Sequence, residues 1–480
     1  MRVTKPSFST KFKPAPEIQH DSRVLTGFGG VTVLSGYLIA TGLVVGLRSR
    51  LKNIRRVGDY AVFSLVYLLL LFISVGGRRP GHLKYFGADG LLGRMAWLRR
   101  IPAKSTIARF FMACGKELVG YIGEANVDFV VGCLRRLGGE TLSAITLDVD
   151  GTVISTRGHQ GFAAKGYNPI KKGARSYRPL TVHVSETGQF IEINHRPGDA
   201  ADNEGADVLL GKTIRRLKRE FPSTTLRARM DSAFFEDALL RMLEAEKVKY
   251  TVVAKLYESL ALVVKECTSW TSIRDGVDAF EFCFQMKKWS DARDFVAYRF
   301  RLSNKDIAER EGEQLDLFRP NDPQYRYMLF CHNFPQGEMP IEELHTFYAG
   351  RCNQEKNIGL LKSGFAFDQL PSKNHSGIAV WQKLSMLAYN ALTGFAMEVV
   401  DGATQRKNSV VEKATRLFKC ATWSTVRFLH LCVPGQLVND SGRIVLHLPE
   451  SRARKSDWND FQIRIEEIEE AELCRHRPAA

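Results

Sequence analysis

The feature that most constrains the fold is an alternation between residues 141 and 254, where short apolar runs of strand length are interleaved with amphipathic helical segments. The strand-like runs are Leu142 to Val149, Leu180 to Val184, Phe190 to Asn194 and Tyr250 to Ala254. Helical periodicity marks Gly205 to Phe221 and Phe234 to Lys247. Strands that lead into helices are typical of a mixed sheet with packed helices. We therefore predict an α/β core for this part of the chain.

The first third of the chain has a helical pattern and carries most of the positive charge. We predict a flexible lead at residues 1–23 and a helical domain at residues 24–140. The chain has a formal net charge of +16, and residues 1–140 contain 21 Lys and Arg against 8 Asp and Glu. Clustered cations displace counterions from phosphate, so the expected partner is nucleic acid rather than a membrane surface. Residues 24–140 are therefore a candidate DNA-binding domain.

Two uncharged runs in this segment, Val24 to Leu47 and Tyr60 to Gly77, reach the length of membrane-span candidates. The first is interrupted by six glycines, and the second is short and is followed by Arg78 and Arg79. We predict buried helices instead, with no membrane partner. Nine irregularly spaced cysteines indicate reduced thiols in a cytoplasmic protein, and neither a disulfide framework nor a zinc site.

A β-rich segment interrupts the alternation. Its strand-like runs are Ala279 to Met286, Arg293 to Leu302 and Tyr325 to Cys331, and helical character returns at Ile341. The predicted boundaries place the first part of the core at residues 141–261, a β-rich insertion at 262–335, the second part of the core at 336–400 and a C-terminal region at 401–480.

Two carboxylates, Asp148 and Asp150, close the first core strand in the string Leu147-Asp148-Val149-Asp150-Gly151-Thr152. Residues i and i+2 of a strand face the same way, so both acids can share one site. Taken alone, the string fits a haloacid-dehalogenase-type phosphatase, with the first Asp as nucleophile. It equally fits a metal-dependent nuclease of the RNase H-like type. A phosphatase of this type also needs a metal-binding Gly-Asp-x-x-x-Asp string further along the chain, and this sequence contains none.

Two further acids favour the nuclease. Asp231 follows a Phe-Pro-Ser break where a strand end is plausible, although an isolated Asp there also fits a helix N-cap. If residues 348–362 form one helix, Tyr348, Arg351, Glu355 and Lys362 lie on a single stripe. An acid flanked by a phenol and two cations suits a Mg²⁺ or Mn²⁺ ligand beside bound phosphates. A solvated helix face is the alternative for Glu355 and Lys362.

The spacing of these four residues resembles the signature of the bacterial insertion-sequence transposases that include the hairpin-forming transposon-five enzyme. Within that class the chain is most similar to the thirteen-eighty insertion-sequence family, from about Phe28 to Leu448. The blocks similar to that family are residues 148–152, Gly166-Tyr167-Asn168-Pro169, Ser176-Tyr177-Arg178-Pro179-Leu180, Arg196-Pro197-Gly198-Asp199 and Arg229-Met230-Asp231-Ser232-Ala233.

The resemblance implies a DDE transposase that cleaves DNA at terminal inverted repeats and transfers the strand into target DNA. It implies an RNase H-like catalytic core with a β-rich insertion between the second and third acids, preceded by a helical DNA-binding domain. Asp150, Asp231 and Glu355 would be the catalytic triad and the metal ligands. Asp150 is preferred as the first acid of the triad. Asp148 remains the alternative for that position, because the two side chains share one face of the strand.

The resemblance also assigns DNA-binding roles to four residues. Tyr348, Arg351 and Lys362 would hold the backbone of the cut strand, and Trp289 would stack on a flipped base, with ordinary packing as its alternative. The expected cofactors are two Mg²⁺ ions about 4 Å apart, which Mn²⁺ can replace. The expected partners are double-stranded DNA and a second copy of the chain, in the cytoplasm at the bacterial nucleoid. A DNA-binding protein that no longer cuts is the remaining alternative.

Overall fold

The computed structural model describes residues 24–480 except residues 88, 139–141, 157, 304–323, 402–421, 442, 451–454 and 476–480. The lead predicted at residues 1–23 lies outside the described residues. Where they are described, residues 24–138 form a two-residue strand, a 3-10 helix and six α-helices. These are β1 (Leu25–Thr26), α1 (Val31–Ala40), α2 (Leu43–Leu51), α3 (Val62–Ser74), the 3-10 helix Pro80–Phe86, α4 (Gly90–Met95), α5 (Lys104–Ala113) and α6 (Lys116–Gly138).

Both uncharged runs form helices that face the hydrophobic core, as predicted. Every residue of α3 is buried, and α1 and α2 bury most of their apolar side chains. Within the described parts of the chain, no single helix is long and apolar enough to cross a membrane. Only α1 and α2 taken as a pair reach that length, and they are bent by 74°.

The α/β region begins at the strand that carries Asp148 and Asp150. Its elements are β2 (Ala144–Gly151), β3 (Ile154–Ser155), β4 (Ala164–Lys165), β5 (Arg175–Tyr177), β6 (Leu180–Val184), β7 (Gln189–Asn194), α7 (Ala206–Glu220), β8 (Thr225–Met230), α8 (Asp237–Ala245) and β9 (Lys249–Val253). The short strands β3, β4 and β5 form a small sheet of their own. Helices α7 and α8 connect strands that run parallel, which requires crossover connections of this kind.

The strand order β7-β6-β2-β8-β9 fits an RNase H-like core. Strands β2, β6 and β7 pair antiparallel, whereas β8 and β9 run parallel to β2. Strand β2 lies in the middle of these five strands and is buried from Ile145 to Val149, so the polar side chains of Thr146 and Asp148 are enclosed together with the apolar ones. The register pairs Asp148 with Arg229 and Val149 with Met230. Asp150 and Asp231 therefore lie side by side where β2 and β8 end.

The residues predicted as a β-rich insertion extend this same sheet. They form α9 (Glu258–Glu266), β10 (Thr271–Arg274), β11 (Val277–Phe284), β12 (Arg293–Arg301) and β13 (Tyr325–His332). Strand β13 pairs antiparallel with β9, and the order continues through β12 and β11 to β10. In the part of the chain that the structure describes, the sheet thus has nine strands. The four added strands follow β9, on the same side of β2 as β8, the strand that ends just before Asp231.

The C-terminal third contains α10 (Ile341–Ala349), α11 (Cys352–Phe365), α12 (His375–Phe395), α13 (Trp423–Val426), β14 (Gly435–Asp440), β15 (Arg443–His447) and α14 (Lys455–Arg475). Helix α12 packs against α3, α6 and β7, so the N-terminal helices and the α/β region are joined by one hydrophobic core. Asn390 of α12 donates to Asn126 of α6 at 2.7 Å. The helical prediction from residue 24 was wrong for β1, because Leu25 and Thr26 pair with β14, a partner distant in sequence.

Candidate active site

Asp148 and Asp150 lie two residues apart on β2, but their surroundings differ. Asp148 is fully buried, and its two oxygens accept hydrogen bonds from Arg229 Nε at 2.6 Å and Nη2 at 2.9 Å. His183 Nδ1 lies 3.4 Å from the second oxygen. A two-pronged pair of this kind is strong and occupies both partners. Because Asp148 is held in this way, the phosphatase alternative, which needs a free nucleophilic carboxylate at the first Asp, is not favoured.

Asp150 and Asp231 both direct one carboxylate oxygen at Arg351. The Oδ2 atoms of Asp150 and Asp231 lie 3.2 Å and 3.4 Å from Arg351 Nη2. The other oxygen of Asp231 accepts a hydrogen bond from the Ala233 N–H at 2.9 Å and caps the 3-10 helix Ser232–Phe234. The capping role considered for Asp231 is therefore present, and it leaves the second oxygen facing the other acids.

The prediction of one continuous helix over residues 348–362 was wrong, because α10 ends at Ala349 and α11 begins at Cys352. In a continuous helix the Phe347 carbonyl would accept from the Arg351 N–H. Here Arg229 Nη1 donates to that carbonyl at 2.7 Å, and the Arg351 N–H bonds to Tyr348 O at 2.9 Å, three residues back. The arginine that holds Asp148 thus also contacts the chain at the break between the two helices.

Glycine is required at this break. A Cβ atom on Gly350 would lie 2.3 Å from Arg229 Nη1, too close for any other residue unless the guanidinium moved. The backbone at Arg351 nevertheless keeps right-handed helical angles, with φ −61° and ψ −26°. Arg351 and Glu355 therefore still contact across one turn, with Nη1 2.9 Å from Oε1. The expected proximity of these two residues is preserved although the helix is interrupted.

One guanidinium is thus shared by three acids. Arg351 is buried, whereas the exposed side-chain fraction rises from 15% at Asp150 to 36% at Asp231 and 58% at Glu355. The pKa of Asp150 is raised to about 7, chiefly by burial; Arg351 opposes this shift, and the nearby carboxylates of Asp231 and Glu355 add to it. Three carboxylates therefore share one guanidinium, and Lys362, whose pKa the charge of Asp150 affects, is a second cation near them.

The donor set fits a hard divalent cation. Mg²⁺ and Mn²⁺ prefer carboxylate oxygens, and the three acids direct oxygens at one positive group, Arg351, in the position where a cation would balance them. In the described residues, with Arg351 between the acids, no three carboxylates converge closely enough to hold an ion. Metal binding at this site therefore requires the guanidinium to give up its contacts with the acids.

Tyr348 and Lys362 border the acids on either side of Arg351. The Tyr348 ring packs against Phe330 with centroids 4.7 Å apart, and burial raises the pKa of its hydroxyl to about 12. Lys362 Nζ donates to the Val153 carbonyl at 3.1 Å. Burial lowers the pKa of Lys362, and the charges of Asp368 and Asp150 oppose that shift. The structure therefore brings Tyr348, Arg351 and Lys362 to the same edge of the sheet as the acids.

Trp289 lies in the turn between β11 and β12 and is half-buried. Its ring centroid is 4.7 Å from that of Phe235, and the Arg293 guanidinium lies 4.7 Å above it. Phe235 follows the 3-10 helix that Asp231 caps, so Trp289 is linked to the acidic site through one aromatic contact. The indole is thus contacted by Phe235 and Arg293 and remains partly exposed.

Two further polar residues on α11, which the sequence analysis did not identify, fix the helix that carries Glu355. Gln354 Nε2 donates to the Asp148 carbonyl at 3.0 Å and to Thr181 Oγ1 at 3.1 Å. Asn357 Nδ2 lies 2.9 Å from His183 Nε2. The helical periodicity gives the available signal, because Gln354 falls on the buried stripe of α11 with Ile358 and Leu361, next to the exposed Glu355. These contacts hold α11 across the centre of the sheet.

Comparison with known proteins identifies the family. A family model described as "Transposase DDE domain group 1" matches residues 8–469. Comparison with curated proteins gave no match. Among solved structures, the chain is similar to a cryo-EM structure of a piggyBac transposase synaptic complex with hairpin DNA, at 10% identity and a TM-score of 0.39, covering 96% of this chain and 85% of that chain. The family match covers nearly the whole chain, and the protein therefore belongs to the DDE transposase family described as domain group 1.

Proposed function

We propose that this protein cleaves DNA at the terminal inverted repeats of a mobile element and transfers the freed strand into target DNA, a cut-and-paste transposition. The observation that carries the proposal is the convergence of Asp150, Asp231 and Glu355 on Arg351. Three acids from two parallel strands and a helix supply the oxygen ligands that two-metal phosphoryl transfer needs. The likeness to the thirteen-eighty insertion-sequence family is part of this proposal.

The three acids would hold Mg²⁺, two ions in the expected mechanism, and Mn²⁺ would substitute. When bound, these ions activate the attacking oxygen and stabilise the leaving oxygen of the phosphodiester. Asp150, which is nearly buried, would be the central ligand, and Glu355, the most exposed of the three, would lie at the entrance. No side chain of this chain acts as a covalent nucleophile in such a reaction, because the attacking oxygen comes from water or a DNA 3′-hydroxyl.

Arg351, Tyr348 and Lys362 would position the DNA strand. Once the acids carry cations, Arg351 no longer has to neutralise them, and its planar fork can bind a phosphate through two hydrogen bonds. Lys362, held beside Val153, adds a second positive charge next to Asp150. We also propose that the accessible face of Trp289 stacks on an unpaired base near the cut.

The remaining parts of the proposal concern DNA recognition. The basic segment before residue 140 would bind the inverted repeats, with phosphate contacts for position and a few base contacts for sequence. Two element ends have to be held together, so we propose a homodimer on DNA. We propose that it acts at the nucleoid of a bacterial cell.

The proposal is tested by incubating end-labelled DNA carrying the element's own termini with Mg²⁺ or Mn²⁺. Asp231→Asn and Glu355→Gln keep the size of each side chain and remove its charge. We expect more than about a 100-fold loss of nicking in each, since even loss of an outer partner of a metal ligand costs about 10- to 100-fold. The matched control is Asp275→Asn, an exposed acid in the turn between β10 and β11, which should cut normally.

Undiminished nicking in Asp231→Asn and Glu355→Gln would disprove the assignment of the triad. Binding of the termini without any metal-dependent cutting by the unsubstituted protein would instead identify a DNA-binding protein that has lost the reaction. Both results are read from the same gel, with DNA retention measured in parallel.

A further inference from the structure

A cleft of 860 Å³ opens beside the acidic site, between the 3-10 helix Pro80–Phe86, α5, the β3 strand and the chain that follows α11. Its volume falls within the range of roughly 300–1,000 Å³ typical of ligand pockets. Lys362 belongs to its wall, and so does Val153, three residues beyond Asp150. The cleft therefore begins where the proposed DNA-cutting site ends.

The rim of the cleft is positively charged. Five cations line it, and they are Arg79, Lys84, Lys104, Lys171 and Lys362. In the lining as described, Asp368 is the single acid, and its carboxylate pairs with Arg78 at 3.3 Å. The Lys104 and Lys171 side chains are exposed and form no ion pair with any described residue. This excess of positive charge favours an anion with several charges, and phosphates of one DNA strand meet that requirement.

The interior of the cleft is apolar, and an aromatic ring stands at its edge. Phe111 and Ile154 are buried in its wall, and Leu370 lies next to them. The Tyr85 side chain is 72% exposed, with the Lys84 ammonium 4.7 Å from its ring centroid. An exposed ring beside several cations is the combination with which proteins bind unpaired nucleotides, since each base has a face to stack and each phosphate a charge to neutralise.

We propose that this cleft holds a short unpaired segment of the DNA strand next to the cleavage point. Bases of an intact duplex are stacked on one another, so they have no free face for Tyr85 or for the apolar wall. An unpaired segment presents both its base faces and its phosphates to a concave site. This inference rests on the proposed function, because it places the segment beside the phosphate that the three acids would cut. It assigns the 3-10 helix Pro80–Phe86 and α5 to strand binding.

The test measures fluorescence anisotropy of a labelled oligothymidine strand with the full-length protein carrying Glu355→Gln, which prevents cutting. In that background, Tyr85→Ala should weaken binding by about 5- to 150-fold, the range for removing one base-stacking aromatic ring. Tyr85→Phe should bind nearly as well as the parent, because stacking needs the ring and not the hydroxyl. A blunt duplex of the same length should respond much less to Tyr85→Ala.

The cations are tested by the salt dependence of oligothymidine binding. Lys84→Ala combined with Lys104→Ala should reduce the slope of log affinity against log salt by about 1.4, or about 0.7 for each lost phosphate contact. The matched control replaces two exposed cations of α7 that lie away from the cleft, Lys212→Ala with Arg219→Ala, and should leave the slope unchanged. Thermal unfolding midpoints confirm that each variant is folded.

The inference is overturned if the parent does not bind oligothymidine, or if Tyr85→Ala and the lysine variant behave like the α7 control. It is equally overturned if duplex and single strand lose affinity to the same extent, since the cleft would then bind only backbone. Failure of the proposed function is seen separately, as absence of metal-dependent nicking by the unsubstituted protein. Tyr85-dependent binding without nicking would support the cleft and refute the cutting reaction.

Discussion

Asp148 and Asp150 stand on the same strand and the same face, yet the fold uses them in opposite ways. Asp148 is fully buried, and both of its oxygens are bonded to Arg229. Asp150 remains partly accessible and shares Arg351 with two other acids. The first site contains one acid for one arginine, and the second contains three acids for one arginine.

The difference shows how charge balance separates a structural pair from a reactive site. A balanced, buried pair offers nothing to a ligand because both partners are occupied, and loss of one partner leaves an uncompensated buried charge. In the cluster, three acids contact one arginine and remain partly exposed, and burial is the chief cause that raises the pKa of Asp150 to about 7. A cluster of this kind attracts cations, and the predictions below test whether the two sites differ as this comparison requires.

The largest expected effect comes from breaking the balanced pair. Arg229→Ala leaves Asp148 buried without its partner, which should lower the free energy of unfolding by about 3–5 kcal/mol. The control is Arg241→Ala, because Arg241 is exposed and pairs with Asp237 one turn away in α8. That change should cost no more than about 0.5 kcal/mol. Urea unfolding of the two variants and the parent measures both values, and a loss below about 1 kcal/mol for Arg229→Ala would contradict a structural role for the pair.

The second prediction concerns the pH dependence of the metal-free protein. Folding raises the pKa of Asp150 from 3.8 to about 7, so the folded chain binds more protons than the unfolded chain between those values. Stability from this group is therefore fully present below about pH 4 and is lost as the pH rises through about 7, by about 2–4 kcal/mol in total.

Asp150→Asn cannot ionise at this position and should lack that loss. The measurement is the free energy of unfolding of both proteins at several pH values between about 4 and about 8, with a chelator present. The difference between the two curves should grow with pH in favour of the Asp150→Asn variant. Parallel curves would contradict a raised pKa of Asp150 in the folded protein.

The sequence predicts the strands of the core well, because the apolar runs that mark them are local. Strands β2, β6, β7 and β9 lie within about two residues of their predicted bounds. It also selects Asp150, Asp231 and Glu355 as candidate acids, because the first two lie at predicted strand ends and the third lies in a predicted helix. It does not separate Asp148 from Asp150, because the i, i+2 rule places both on one face. That choice depends on the register between β2 and β8, which sets Arg229 opposite Asp148.

Two other features depend on contacts between distant parts of the chain. At the break near Gly350, Arg229 donates to the Phe347 carbonyl, and nothing in the local helical pattern shows a donor that arrives from β8. Strand β1 exists because β14 pairs with it, and a two-residue strand has no pattern of its own. The assignment of catalytic roles to Asp150, Asp231 and Glu355 stays a prediction that the geometry supports.

The smallest expected effect is on cation binding, and it tests the unbalanced site directly. Arg351 lies within 3.4 Å of all three acids, where it competes for the oxygens that a divalent cation needs. Arg351→Gln removes that positive charge, so Mn²⁺ should bind the DNA-free protein about tenfold more tightly, equivalent to about 1.4 kcal/mol. The control is Arg299→Gln, which removes an arginine paired with Asp278 in the insertion and should leave Mn²⁺ affinity unchanged.

Titration calorimetry or the electron spin resonance signal of free Mn²⁺ gives the affinity without any cleavage reaction. Tighter binding that Glu355→Gln then reverses would show that the arginine and the cation occupy one site in turn. Weaker binding in Arg351→Gln would mean that Arg351 organises the acids instead of neutralising them. In that case Arg229 and Arg351 would both hold acids of β2 in place. The contrast between Asp148 and Asp150 would then lie only in the exposure of their side chains.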